Sequence, residues 1–199
     1  MRAALLSFCL WSVVVRADDT NAPLLGFYRT VTGWSPLQHY YVEQHTLTAR
    51  TAREVWLVAA RDPAQRRLLY SFSRSVTVTI SDDEQWIAIT DYADSDTAKL
   101  LLFHHEKGIN YPRTAELTAS AWAFASAKMG LKQPPNWDHQ YVEVVRWTDD
   151  HTLLLCLHGD FGRHNFVDDW LCFYDVNART FSTDLDLHNR HHTTLESER

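Results

Sequence analysis

At 199 residues the chain is long enough to bury a core of its own, and a formal net charge of −6 at pH 7 gives it a surface that repels polyanions. Binding to nucleic acid or to anionic membrane by a long-range field is thereby excluded. The eight Trp and eight Tyr point instead to an aromatic core, or to a face that contacts sugar or peptide.

Residues 1–17 read as a signal peptide. Arg2 gives a positive start, Ala3 to Val15 is an apolar run too short to span a bilayer, and Val15 and Ala17 stand at the cleavage positions with Arg16 between them. The expected product starts at Asp18, is secreted or periplasmic and keeps no membrane span; a hydrophobic helix or uncleaved anchor is the alternative. Ser7-Phe8 before Cys9 lacks the small residues of a lipoprotein signal. Asp18 to Pro23 reads as a flexible lead-in. His39 to Thr48 suggests a strand of open register, Glu54 to Ala60 a firmer one, Arg61-Asp62-Pro63 a turn, and Leu68 to Phe72 the last strand of a partial unit.

From Val76 the pattern sharpens. Val76, Val78 and Ile80 alternate with Thr77 and Thr79, the period of a half-buried strand. Ser81-Asp82-Asp83-Glu84-Gln85 supplies turn residues that hydrogen-bond their own backbone, after which Trp86 to Thr90 and Lys99 to Phe103 read as further strands. An acidic loop, Asp91 to Asp96, joins those two. Glu106-Lys107-Gly108 turns into Ile109-Asn110-Tyr111, closing a four-stranded meander. A second copy follows: laying Asp82-Asp83 on Asp149-Asp150 puts Val78 on Val145, Ile80 on Trp147 and Trp86-Ile87 on Leu153-Leu154, and further along Phe103 falls on Tyr174. A strand-turn-strand pattern that recurs is the mark of a repeat architecture, in which one unit cannot bury its apolar face alone.

Ser81 to Ala88 resembles the Ser-Pro-Asp-Gly-Lys-Trp-Ile-Ala turn between the first two strands of blades in β-propellers of the WD-repeat-like and TolB-like kind, with Asp82 in place of the proline and Glu84 in place of the glycine. The resemblance covers Val76 to Tyr111 and Tyr141 to Ser182. It implies blade-like sheets and a binding role on loops. Closed propellers take four or more blades, so an open arrangement, or one completed by a partner chain such as a second copy, is expected.

Between the two units the sequence predicts one helix over 114–129. Thr114 is the expected N-cap, Glu116 lies in the first turn, Leu117, Ala121, Phe124 and Ala125 recur on one face, and Lys128 and Gly130 end it. Lys132 to Asp138, with Pro134-Pro135, reads as a linker. The fold class is therefore mainly β: two antiparallel four-stranded blade-like meanders with one intervening α-helix in a domain over 18–184, then a flexible tail over 185–199. Within the tail, His188-Asn189-Arg190-His191-His192 reads as solvated rather than as a metal tract.

His158-Gly159-Asp160-Phe161-Gly162-Arg163-His164-Asn165 resembles the catalytic loop of aminoglycoside-phosphotransferase-like kinases. That resemblance implies Asp160 as base, with Asn165 and Asp175 as magnesium ligands. The chain offers neither a glycine-rich phosphate loop nor a strand lysine to go with it. The preferred expectation is that this loop and Asp91 to Asp96 line one surface, on which Asp91, Tyr92, Asp94, Asp96, His158, Asp160, Arg163, His164 and Asn165 hold a protein or saccharide ligand. Asp91, Asp94 and Asp96 are also a calcium candidate, since carboxylate-rich loops bind that ion. No cofactor is expected. The function expected is that of an exported, non-enzymatic binding module, with a phosphotransferase-like or hydrolytic enzyme as the alternative.

Cys156 and Cys172 lie at equal distances from His164 in the chain, so a hairpin centred there places them opposite each other. A disulfide and two buried free thiols are both compatible with that position.

Overall fold

A computed structural model of the chain describes residues 27–47, 52–131 and 136–195. The expected signal peptide, its cleavage site, the lead-in to Pro23 and Cys9 lie outside them. No described helix is long and apolar enough to cross a membrane.

The chain is mainly β, and nearly every strand pairs antiparallel with its neighbour in sequence. Strands β1 (Phe27–Trp34), β2 (Tyr40–Leu47), β3 (Arg53–Ala59) and β4 (Arg66–Phe72) make one four-stranded sheet. A second meander follows in β5 (Ser75–Ile80), β6 (Trp86–Tyr92), β7 (Thr97–His104) and β8 (Arg113–Glu116). The third is β9 (His139–Trp147), β10 (Thr152–Phe161), β11 (Asn165–Asp175) and β12 (Thr180–Ser182). Meanders two and three share one sheet because β7 and β9 run parallel at a corner, Thr97 opposite Gln140 and Ala98 opposite Tyr141. Among the described residues no sheet closes on itself.

The unit read as partial is thus a complete meander. Its first strand escapes a period-2 reading because a register shift between Val31 and Gly33 breaks the alternation along β1. The β1–β2 and β5–β6 turns are also built alike. Ser81 and Trp86 exchange backbone and hydroxyl hydrogen bonds across the second, and Glu84 N donates to Ser81 O. Ser35, Gln38 and Tyr40 repeat those contacts in the first. Gln38 (φ 59) and Glu84 (φ 58) occupy the left-handed position of these turns, where a glycine is the unstrained choice.

Two apolar cores separate the meanders, and the middle unit is buried on both sides. Ile87, Ile89, Leu101 and Phe103 face Tyr40, Val42, Val55 and Leu57 of the first meander. Ala88, Leu100 and Leu102 on the opposite face join Val142, Leu153, Leu155, Leu157 and Trp170 of the third. This is why Leu100-Leu101-Leu102-Phe103 runs apolar without alternation: a strand covered on both faces has no polar side.

Helix α1 (Thr118–Lys128) roofs the second core, burying Ala121, Trp122 and Ala125. It starts later than the capping pattern predicts. Residues Arg113–Glu116 instead form β8 on the edge of β7, and Thr114 Oγ1 donates to Leu102 O. Leu117 takes the N-cap position without a side-chain cap. At the other end Gly130, at φ 77, and the Leu131 N to Ser126 O bond close the helix as expected.

Of the segment 185–199, expected as a flexible tail, the described residues to 195 fold back. Helix α2 (Asp186–His191) and β13 (Thr193–Thr194) pack along β11. The buried Asn189 amide accepts from Leu171 N and donates to Leu171 O, both at 2.9 Å, so a side chain stands in for a missing strand partner.

The two cysteines are not opposite each other. Leu155 faces Cys172 and Cys156 faces Leu171, because the hairpin is centred on Arg163 rather than His164, and the one extra residue that β11 carries at Asp168–Asp169, where β10 has only His158, restores only half of that difference. A slip of one residue sends side chains to opposite faces. Cys172 is in the core, Cys156 is buried on the far side, and both are free thiols.

Candidate functional site

The outer face of the third meander, turned away from the core, carries the polar side chains that sequence reasoning placed in a loop. The β10–β11 connection is a tight hairpin in which Gly162, at φ 63, opens a three-residue tip and Asn165 pairs with Phe161. His158 and Asp160 are therefore strand residues. With Cys156 they alternate along β10, and successive alternate positions share a face. Across the strand pair with β9 their partners are Glu143, Tyr141 and His139 in turn. The result is a ladder of polar rungs.

Helix α1 fixes this ladder from behind. Gly159 lies between His158 and Asp160, and a Cβ there would come 2.7 Å from the Trp122 ring and 2.6 Å from His139 O. Only glycine lets the indole approach the strand so closely. Trp122 in turn packs on Trp137, with ring centroids 4.0 Å apart.

At one end His139 links the two predicted loops. Its Nδ1 lies 2.5 Å from Asp160 Oδ1 and its Nε2 3.6 Å from Asp96 Oδ1. The hydrogen bond to Asp160 raises the His139 pKa, and the charges of Asp160, Asp96 and Asp138 add to it. Tyr141 OH donates to Ser95 O, tying the same loop down.

At the other end the extra residue in β11 brings Asp168 and Asp169 to His158. His158 Nδ1 lies 2.9 Å from Asp168 Oδ1, while its Nε2 lies 3.3 Å from Cys156 Sγ and 3.6 Å from Asp169 Oδ1. Cys156 Sγ is 3.6 Å from that same oxygen. Burial, and after it the Asp169 carboxylate, push the Cys156 thiol up to about 12. His158 and Asp169 are partly open to solvent above the buried sulfur. His188 of α2 borders the group, its Nε2 at 3.0 Å from Asp169 O.

Of the residues predicted to bind, Asp96, Asp160 and His158 fall on this face. Arg163 and His164 sit exposed at the hairpin tip, with Asn165 at its base. Tyr92 lies at the border, its hydroxyl pushed up to about 12 by burial and then by Glu143. Asp91 does not join them: it is buried and accepts from Tyr70 OH at 2.6 Å. Asp94 is spent within its own loop, accepting from Asp96 N, Thr97 N and Thr97 Oγ1. The proposed calcium ligands thus diverge. Asp175, paired with Thr152, lies at the far end of β11 from Asn165, on the order of 33 Å away at strand spacing, so the two implied magnesium ligands do not meet.

Sequence reasoning missed His139, Glu143 and the joint role of Asp168 and Asp169, and considered Cys156 only for a disulfide. The signal was the alternation Cys156, His158, Asp160, which a strand places on one face.

No protein-family model matches this chain, and no curated protein does.

Proposed function

We propose that the chain is an exported binding module of blade-like repeats that takes a protein or saccharide ligand on the outer face of its third meander. The observation that carries this reading is the ladder itself. His139, Tyr141, Glu143, His158, Asp160, Asp168 and Asp169 gather on the outer face of the third meander, with Asp96 and Tyr92 of the middle meander at its border. Carboxylates, imidazoles and a tyrosine suit hydroxyl-rich or basic ligands, and the strands beneath hold the groups in place. The corresponding faces of the middle meander are both spent on packing.

The enzymatic alternative draws on one observation. Cys156, His158 and Asp168 follow each other at 3.3 and 2.9 Å in the order nucleophile, base, orienting acid. Burial of the thiol and the carboxylate of Asp169 beside it both oppose thiolate formation, so binding is the reading adopted.

The test compares wild type with Asp160→Asn and His139→Ala for retention on glycan arrays and on immobilised envelope-fraction proteins. Wild type retains a ligand that both variants lose with unchanged circular dichroism. Equal retention by the variants, or turnover of ATP or of an ester by the wild type, rejects the binding-module reading.

A further inference from the structure

We propose that Cys156, His158 and Asp169 form a site for one divalent transition-metal ion, zinc by the chemistry of the donors, with a fourth coordination position open on the outer face of the third meander. The site does not depend on the ligand-binding reading above.

Three donor atoms of the kinds zinc takes converge on one point. The Sγ and Nε2 atoms stand 3.3 Å apart, and a single oxygen, Asp169 Oδ1, lies 3.6 Å from each. Tetrahedral donors at ordinary zinc bond lengths stand about 3.3–3.6 Å from one another. The triangle already has the size of one face of such a tetrahedron. A sulfur and an imidazole among the donors disfavour calcium and magnesium, which take oxygen.

The surroundings have the form that metal-binding histidines require. Nδ1 of His158 faces Asp168 Oδ1 at 2.9 Å, and a proton on Nδ1 shared with that carboxylate leaves Nε2 as the lone-pair donor. Asp169 N also lies 3.3 Å from Nδ1, but the shorter, charge-assisted contact sets the tautomer. Consecutive strand residues ordinarily point to opposite faces. Here the extra residue in β11, with Asp169 at φ 54, lets Asp168 and Asp169 both address one histidine. A strained non-glycine backbone at this position is accounted for by what it aligns. Cys156 forms the buried floor, while His158 and Asp169 leave the outward position to water or to one donor atom of a ligand.

Full-length protein, reduced and stripped of metal, is titrated with cobalt(II), then with zinc. One equivalent of cobalt is expected to give intense visible ligand-field bands and a near-ultraviolet sulfur-to-cobalt charge-transfer band, both displaced by zinc. Cys156→Ser removes the charge-transfer band. Asp168→Asn weakens binding about 10- to 100-fold, as loss of a group behind a metal-bound histidine does elsewhere, and Cys172→Ser changes nothing. Because Asp169 is exposed, Asp169→Asn serves as the variant least prone to misfolding: zinc raises the melting temperature of wild type and not of this variant. Absence of the charge-transfer band, its survival in Cys156→Ser, its loss in Cys172→Ser, or an equal zinc shift in Asp169→Asn overturns the assignment.

Discussion

Glu84 stands at φ 58, where a glycine costs nothing and an L side chain costs on the order of 1–2 kcal/mol. What it gains is contact with the first meander. Its buried carboxylate accepts from Leu37 N and meets His39 Nδ1, each at 2.8 Å, and its carbonyl accepts from Tyr111 OH. Glu84→Ala keeps the strain and orphans Leu37 N, so denaturant melts are expected to show a loss of about 1–3 kcal/mol. Glu84→Gly, relieved of the strain, should lose about 1 kcal/mol less; an equal loss would mean the backbone conformation is not the cost. His139 offers a test by pH. Its folded pKa is raised above 6.5, so the stabilisation from its pairing with Asp160 is full below the unfolded value and fades as pH rises through the folded one. An NMR titration of the imidazole should place its midpoint above 6.5, and Asp160→Asn should move it down. No movement would remove Asp160 as the cause.

At the scale of elements, α1 and β10 are one assembly. Gly159→Ala drives a methyl into His139 O and the Trp122 ring, and a loss of about 1–3 kcal/mol by thermal or denaturant melting is expected. A neutral result would show that the helix is free to retreat. Strands of the middle meander were legible in sequence: Val76 to Ile80 by alternation, Leu100 to Phe103 by an unbroken apolar run. Three features were not, each because a tertiary partner decides it. Thr114 and Glu116 carry the marks of a helix start, yet the open edge of β7 claims them as β8. Ser35-Pro36 repeats the turn motif of Ser81, but the bulge in β1 hid the strand leading to it. The extra residue at Asp168–Asp169 leaves no trace in composition, and together with a hairpin centred on Arg163 it decides that Cys156 meets a histidine and a carboxylate rather than Cys172.

The described residues form three locally paired meanders, joined across one parallel strand pairing, Thr97–Ala98 against Gln140–Tyr141. Hairpins between neighbouring strands close short loops, whereas this corner must close one of roughly forty residues and pays a larger entropy for it. The order of folding follows: local meanders form early, and the corner forms late. Asp96 and His139 flank that corner, and Gln140 N donates to Asp96 O across it. The Asp96 contact at this end of the outer face is therefore expected to assemble late, after the His139–Asp160 pair that β9 and β10 bring together within the third meander. A chain stalled before that step would have most of its secondary structure and the His139–Asp160 pair but not the Asp96 contact, so recovery of ligand retention after refolding should lag behind recovery of the far-ultraviolet signal.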